Sequence, residues 1–159
     1  MNASRHTLWQ ARIANKLGNS TAAQLGNAPE NNPWAIKGIK SFANVSFASR
    51  SLADQSADLL NNQIGRRIGR QNPTAAMNDL AIEVLNEFSQ QGLWVVTASN
   101  GQFSISRQKL TVQQTSNALS ILQTLDAEGF NPAEAAARQQ KMKEQEEVRK
   151  FKEMMGPKW

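Results

Sequence analysis

The chain has 159 residues, of which 40% are hydrophobic, so it is long and apolar enough to bury the core of one domain. It has no cysteine and one histidine, which excludes disulfides, thiol nucleophiles and thiolate metal sites and leaves a poor ligand set for zinc; we expect no metal and no cofactor. The net charge is +5, and no apolar run approaches the ~20 residues of a membrane span, so an integral membrane protein is not expected.

The chain is predicted to open directly in a helix that ends at Gly18. Apolar residues recur there at helical spacing and predict its buried face: Leu8, Trp9, Ile13, Leu17. Because a native protein rarely begins one residue before a helix, we expect Met1 to be a start codon added to an excised domain. Residues 21–25 predict one short helical turn.

The next stretch carries turn signals and mixed periodicity. Pro29 and Pro33 bracket polar residues, so residues 26–35 are predicted to form a loop. Residues 36–49 fit two structures. Apolar residues at a spacing of three favour a short helix, whereas residues 42–47 are also compatible with an extended strand.

Two amphipathic helices are predicted in the middle of the chain. The first begins near Ser51, a favourable N-cap residue, and ends at about Arg70, before Pro73. Its predicted apolar face consists of Leu52, Ala53, Ala57, Leu60, Ile64 and Ile68. The second covers about residues 74–91, with Gly92 as its C′ residue. Its apolar positions are Met77, Leu80, Ala81, Val84, Leu85 and Phe88.

The last third predicts one β-hairpin and two helices. Asn100-Gly101 between two β-favouring runs is typical of a tight hairpin, over about residues 93–106. A helix over about residues 111–127 is expected to bury Leu119, Leu122 and Leu125. Asn131-Pro132 begins a long charged helix that ends at about Met155 and lies on the surface. The predicted fold is mainly α: a helical core domain over residues 1–130 with one hairpin, and residues 131–159 as a charged extension of it.

The most informative pattern lies on the predicted helix over residues 51–70, where residues four apart share a face. One stripe contains Asp58, Asn62, Arg66 and Arg70, and its neighbour contains Asn61, Gly65 and Gly69. A glycine inside a helix costs about 1 kcal/mol relative to alanine. We therefore expect a compensating close approach, most simply of the first helix, which brings Arg5 and His6 close to this polar stripe.

These residue types suggest acid–base chemistry. An imidazole can act as a general base near pH 7, which makes His6 a candidate, and Asp58 could orient it or help to hold a phosphate. Glu30, in the proline-rich loop, could act as general acid of a glycosidase-type pair with Asp58 or Asp54. Purely structural interpretations stay open: a hydrogen-bonded histidine at a helix start, a solvated loop glutamate and a solvated polar helix face.

Two motifs in this order resemble a bacterial family of unassigned function, found as C-terminal domains of secreted and polymorphic toxin-type proteins. The motifs are Arg5-His6-x-x-Trp9-Gln10 and Asp58-x-x-Asn61-Asn62-x-x-Gly65-Arg66-x-x-Gly69, and the resemblance covers about residues 3–70. It implies secretion into a target cell and a cognate immunity protein. Similar chains often carry His-Glu in the intervening loop, where this chain has Pro29-Glu30. If that histidine is catalytic, the resemblance implies an inactivated copy.

The sequence therefore favours a toxin or effector domain made in the bacterial cytoplasm, with hydrolase activity. The predicted catalytic residues are His6, Glu30 and Asp58, and the predicted substrate-binding residues are Arg5, Gln10, Asn61, Asn62 and Arg66. Residues 1–72 carry nine basic and three acidic side chains, a net charge of +6, which predicts an anionic substrate (lipid, cell wall or nucleic acid) and an acidic immunity protein. The alternative is a non-catalytic basic module that binds an anionic polymer or an acidic protein.

Overall fold

The computed structural model describes residues 3–28, 32–39, 41–42 and 45–156. Over these residues it contains six helices: α1 (Ala3–Leu17), α2 (Asn19–Asn27), α3 (Arg50–Gln71), α4 (Met77–Gln90), α5 (Val112–Leu122) and α6 (Pro132–Met155). Strands β1 (Leu93–Ser99) and β2 (Gln102–Gln108) pair antiparallel. The predicted fold class, mainly α with one hairpin and a long C-terminal helix, is confirmed.

Helix α3 lies at the centre of the fold and contacts α1, α2, α4 and both strands. On one side, Ile64 and Ile68 join Leu80 of α4 and Leu93 of β1 in the largest apolar cluster. On another, Ala53 and Ala57 pack with Ile105 of β2. The predicted apolar face of α3 is therefore buried at four positions (Ala53, Ala57, Ile64, Ile68), whereas Leu60 is half-buried and Leu52 is exposed.

The predicted buried face of α1 is wrong at Trp9 and Leu17, whereas Leu8 and Ile13 are half-buried. Trp9 and Leu17 are 48% and 61% exposed. The buried positions instead carry small or uncharged polar side chains: Ala3, Thr7, Gln10, Ala11 and Ala14. The reason is the glycine stripe of α3, because a helix that packs against glycines must approach with small side chains and its own backbone.

Local signals place most of the element boundaries. Helix α1 ends at Gly18, whose φ of 84° is in the left-handed region. Helix α2 has nine residues and is longer than the single predicted turn. Helix α3 is capped by Ser49, whose hydroxyl accepts a hydrogen bond from the Leu52 amide, two residues before the predicted cap. Gly92 follows α4 as predicted, with a φ of 83°.

The segment between α2 and α3 contains no helix or strand among its described residues, which form turns and bends at 33–38 and 48–49. Of the two interpretations of residues 36–49, the extended one has a counterpart in the structure, since Phe47 forms an isolated antiparallel bridge with Phe103 of β2. The Phe47 amide donates to the Phe103 carbonyl oxygen at 2.8 Å.

The hairpin is longer than predicted and its turn is as expected. Leu93 pairs with Gln108 at the open end, and Ser99 pairs with Gln102 at the closed end. Between them, Asn100 and Gly101 have φ values of 50° and 75°. Two consecutive positive φ values are typical of the type I′ turn, which matches the right-handed twist of the strands.

Helix α5 ends five residues earlier than predicted, and none of its residues is buried. The side chain of Asp126 accepts hydrogen bonds from the backbone amides of Glu128 and Phe130, which folds this stretch into a turn. Leu119, Leu122 and Leu125 are only half-buried. The predicted burial is wrong. Helix α5 packs mainly against α4, so its other sides are uncovered and these three leucines are only partly shielded from solvent.

Helix α6 begins with the predicted cap, since Asn131 and Glu134 bond reciprocally to each other's backbone amides. None of its residues is buried. Within the part of the chain that the structure describes, no helix combines the length and apolar character needed to cross a membrane.

Candidate functional site

The two sequence motifs meet where α1 crosses α3. A Cβ atom placed on Gly65 would overlap the Thr7 carbonyl oxygen and lie 2.9 Å from the Gln10 Cβ. One on Gly69 would overlap the Ala11 carbonyl oxygen and lie 2.9 Å from the Ala14 Cβ. The predicted compensation for the two glycines is therefore confirmed: they let the backbone of α1 lie directly on α3.

Gln10 joins three helices. It is fully buried, and its Oε1 accepts a hydrogen bond from Nη1 of Arg66 at 3.0 Å. Its amide also lies against Gly26 of α2, where a Cβ atom would come within 2.5–2.7 Å of the amide atoms. The partners of Gln10 are thus inside the protein, and its contact with substrate stays a prediction.

The two asparagines of α3 hold neighbouring backbone segments. Asn61 donates from Nδ2 to the Trp94 carbonyl oxygen at 2.8 Å and accepts from the Trp94 amide at 2.9 Å, which joins β1 to α3. Asn62 donates to the Gly26 carbonyl oxygen at 3.1 Å. Both side chains are at most 1% exposed. This geometry supports a structural role, in which Asn61 positions the hairpin and Asn62 positions α2. Substrate binding by either residue stays a prediction.

His6 and Asp58 form a partly exposed pair at the α1–α3 interface. His6 Nε2 lies 3.7 Å from Asp58 Oδ2, and each side chain is 23% exposed. The pKa of Asp58 is raised by burial, while His6 and Arg5 act in the opposite direction and Asp54 adds to the rise. The pair therefore combines a partly desolvated carboxylate with an imidazole that solvent can reach.

Arg66 follows Asp58 two turns along α3. Burial lowers its pKa from the usual range of a guanidinium. Together with Trp34 and Lys37 it lines a cavity of about 370 Å³ between α3 and the segment that follows α2. The Lys37 ammonium lies 5.0 Å from the centre of the Trp34 ring. Arg5 is exposed on α1, and Arg70, the last member of the stripe, is exposed on α3.

The structure thus brings most of the predicted site residues to the α1–α3 interface. His6 pairs with Asp58, and one turn further along α1 Gln10 pairs with Arg66, so His6 and Arg66 lie on the same side of the body. Asn61 is turned toward the hairpin. Glu30 and Pro29 lie outside the described residues. Among the described residues, no group of three or more acidic or histidine side chains is arranged to hold a metal ion.

Sequence reasoning missed the contacts that join these motifs to other segments. Thr7, Gly26 and Trp94 were not singled out, yet each contributes backbone atoms to the contacts of Gly65, Asn62 and Asn61. Every residue presents the same backbone groups, so no side-chain signal marks these partners. Only the pair of buried asparagines indicated that polar partners must exist nearby.

The family model described as "Domain of unknown function (DUF6973)" matches residues 1–92, more than half of the chain. The chain belongs to this family. The matched region contains α1 to α4 and ends at the glycine before β1, so it includes both motifs and the whole α1–α3 interface. Comparisons with curated proteins and with solved structures found no match.

Proposed function

We propose that this protein is a bacterial toxin or effector domain with hydrolase activity, in which His6 is the general base. The observation that supports it is the placement of His6 beside Asp58, at 3.7 Å and with both side chains partly exposed. Gln10 and Asn62, which follow along the same interface, are buried and hydrogen-bonded within the protein, whereas Arg66 is half-buried. The His6–Asp58 pair is thus the part of this interface where an imidazole and a carboxylate reach solvent together.

The pair has the parts of a simple acid–base device. Asp58 would orient the imidazole and stabilise its charged form, as carboxylates do in hydrolytic dyads. His6 would take a proton from the water that attacks an ester, glycosidic or phosphodiester bond, and would give it to the oxygen that leaves as that bond breaks. Arg5 is close enough to influence the pKa of Asp58, so its guanidinium is available to attract an anionic substrate. The substrate classes are those with negative charge: lipid, cell wall or nucleic acid.

The toxin assignment rests on the motif resemblance, which also implies a cognate immunity protein. Helices α1 and α2 contain no acidic residue, and Arg5 and Lys16 are exposed on α1. A partner that covers this face should therefore be acidic, and its association should slow as ionic strength rises. In this proposal the protein is made in the bacterial cytoplasm and delivered by secretion into a target cell.

The decisive experiment compares growth of bacteria that express the protein in the cytoplasm or in the periplasm. Wild type, His6→Ala and the exposed-site control Lys16→Ala are expressed to equal levels. We expect growth arrest in one compartment, abolished by His6→Ala and kept by Lys16→Ala. Arrest that survives His6→Ala would exclude His6 as the general base.

The loop position distinguishes an active from an inactivated copy. If the wild-type chain is harmless in both compartments, Pro29→His is introduced, because the motif resemblance implies a histidine there. Toxicity that appears with Pro29→His and disappears again with His6→Ala would support hydrolysis in an inactivated copy. If Pro29→His is harmless as well, the toxin proposal is wrong.

The exposed basic face of α1 favours a second candidate, a non-catalytic module that binds an anionic polymer or an acidic protein. This candidate predicts retention on heparin or anionic vesicles without toxicity, and a lower salt concentration for release when Arg5 and Lys16 are both changed to glutamine. Retention without toxicity would support this candidate, whereas toxicity that is lost with His6→Ala would support the hydrolase.

A further inference from the structure

An apolar groove runs between the start of α1 and helices α4 and α5. Its volume is about 590 Å³, and small-molecule sites occupy about 300–1,000 Å³. Large apolar side chains form most of its lining, among them Leu8, Val84, Leu85, Phe88, Ile121 and Leu122. Neither His6 nor Asp58 lines it, so this is a place separate from the polar pair.

The groove is open because α5 covers α4 incompletely. Val84 and Leu85 form a buried floor, at 4% and 8% exposure, whereas Ile121 on the α5 wall is 62% exposed. Apolar surface in a concave and accessible place is costly in water and commonly marks a binding site. The shape suits a flexible hydrocarbon chain, which can lie along the seam between two helices.

The charged and polar residues at the groove indicate the head group of the ligand. The polar lining consists of Ser4, Arg5 and Gln114, and no carboxylate is among the lining residues. Arg5 is exposed and is thus available at the mouth. A long apolar lining with one cation at its edge complements a molecule with a hydrocarbon chain and an anionic head.

We propose that this groove binds the acyl chain of a single-chain anionic lipid, with its carboxylate or phosphate head held by Arg5. A second copy of the chain offers a poorer occupant. The exposed apolar end of α6, with Phe151 and Met154, is flanked by Glu147, Lys150 and Lys152, and these mixed charges give Arg5 no net negative partner. The inference depends on the groove and Arg5, and it does not require His6 to be catalytic.

The test titrates the full chain with dodecanoate and with dodecan-1-ol by calorimetry, below the concentration at which either aggregates. The wild type should bind dodecanoate saturably and more tightly than the alcohol. Arg5→Gln should weaken dodecanoate binding about fivefold, as expected for an exposed ion pair, and leave the alcohol unchanged. Lys16→Gln, an exposed cation of α1 outside the groove lining, should change neither.

A second variant locates the chain of the lipid. Ile121→Trp fills the groove from an exposed position and should weaken both ligands, with an unchanged circular dichroism spectrum. No saturable dodecanoate binding, or binding that Ile121→Trp does not affect, would overturn the proposal. Equal affinity for acid and alcohol in wild type and Arg5→Gln would overturn the role of Arg5.

Two further measurements separate this proposal from its competitors. His6→Ala should bind dodecanoate as the wild type does, so loss of toxicity and loss of lipid binding report on different proposals. A wild-type dimer that becomes monomeric with Ile121→Trp, without dodecanoate binding, would show that the groove holds protein rather than lipid. Phosphate-headed lysolipid is then compared with dodecanoate to distinguish the two head groups.

Discussion

Changing Gly69 to alanine is expected to destabilise the protein, although the same change at an exposed helical site stabilises it. A Cβ atom at this position would overlap the Ala11 carbonyl oxygen and lie 2.9 Å from the Ala14 Cβ. The closest atom belongs to the backbone of α1, which cannot rotate away as a long side chain can. The two helices must therefore move apart to admit one methyl group.

The magnitude follows from two opposing terms. Overpacking a tight contact costs about 1–3 kcal/mol, and a backbone contact puts Gly69 near the upper value. Replacing a helical glycine by alanine returns about 1 kcal/mol. The free energy of unfolding should therefore fall by about 2 kcal/mol. For a chain of this length that corresponds to a melting temperature lower by about 4–8 °C.

The assay is thermal and urea unfolding followed by circular dichroism. The control is Gln63→Ala, at an exposed position of the same helix, which should change stability by less than about 0.5 kcal/mol. A melting temperature for Gly69→Ala at or above that of the wild type would refute the inferred contact. It would mean that α1 is separated from α3 by more than a methyl group.

Three other outcomes test the remaining contacts. Asn61→Ala leaves the backbone amide and carbonyl of Trp94 without their partners and should lower the unfolding free energy by about 3 kcal/mol in urea titrations; a loss below that of Gln63→Ala would contradict the hydrogen bonds. Burial raises the pKa of Asp58, so the folded protein loses stability as pH rises through the folded pKa and this carboxyl ionises. Asp58→Asn does not ionise and should therefore gain stability relative to the wild type between pH 3 and pH 7. A stability difference that does not change with pH would contradict this prediction. Deleting residues 131–159 should cost less than about 1 kcal/mol, since no residue of α6 is buried, and a large fall in melting temperature would show an additional contact.

The fold could be predicted where a local signal determines the structure. Asn100-Gly101 determines the hairpin because both residues readily adopt the positive φ values of a type I′ turn, which matches the twist of the strands. The caps at Asn131 and Gly18 mark helix ends for similar local reasons. The end of α5 was missed because it depends on the Asp126 side chain and its backbone partners, which apolar periodicity does not represent.

Apolar periodicity misplaced Trp9 and Leu17 of α1 because it assumes that helices bury their largest side chains. Here the surface that α1 contacts is the glycine stripe of α3. Because glycine has no side chain, the helices approach closely and α1 can place only small side chains between them. Trp9 and Leu17 consequently lie outside, while Ala11 and Ala14 lie inside. The glycines of α3 indicate which face of α1 is buried, but only when the two helices are assumed to pack against each other.

Burial divides the candidate site residues into structural residues in the interior and residues that can contact a substrate. Gln10, Asn61 and Asn62 contact helices or backbone in the interior, so changing any of them alters the scaffold before it alters chemistry. His6 and Asp58 are connected to the same interface but reach solvent. A loss of function at His6 with unchanged stability is therefore interpretable as chemistry, whereas the same loss at an interior amide is not. This asymmetry is why the His6–Asp58 pair, rather than the whole motif, carries the proposed activity.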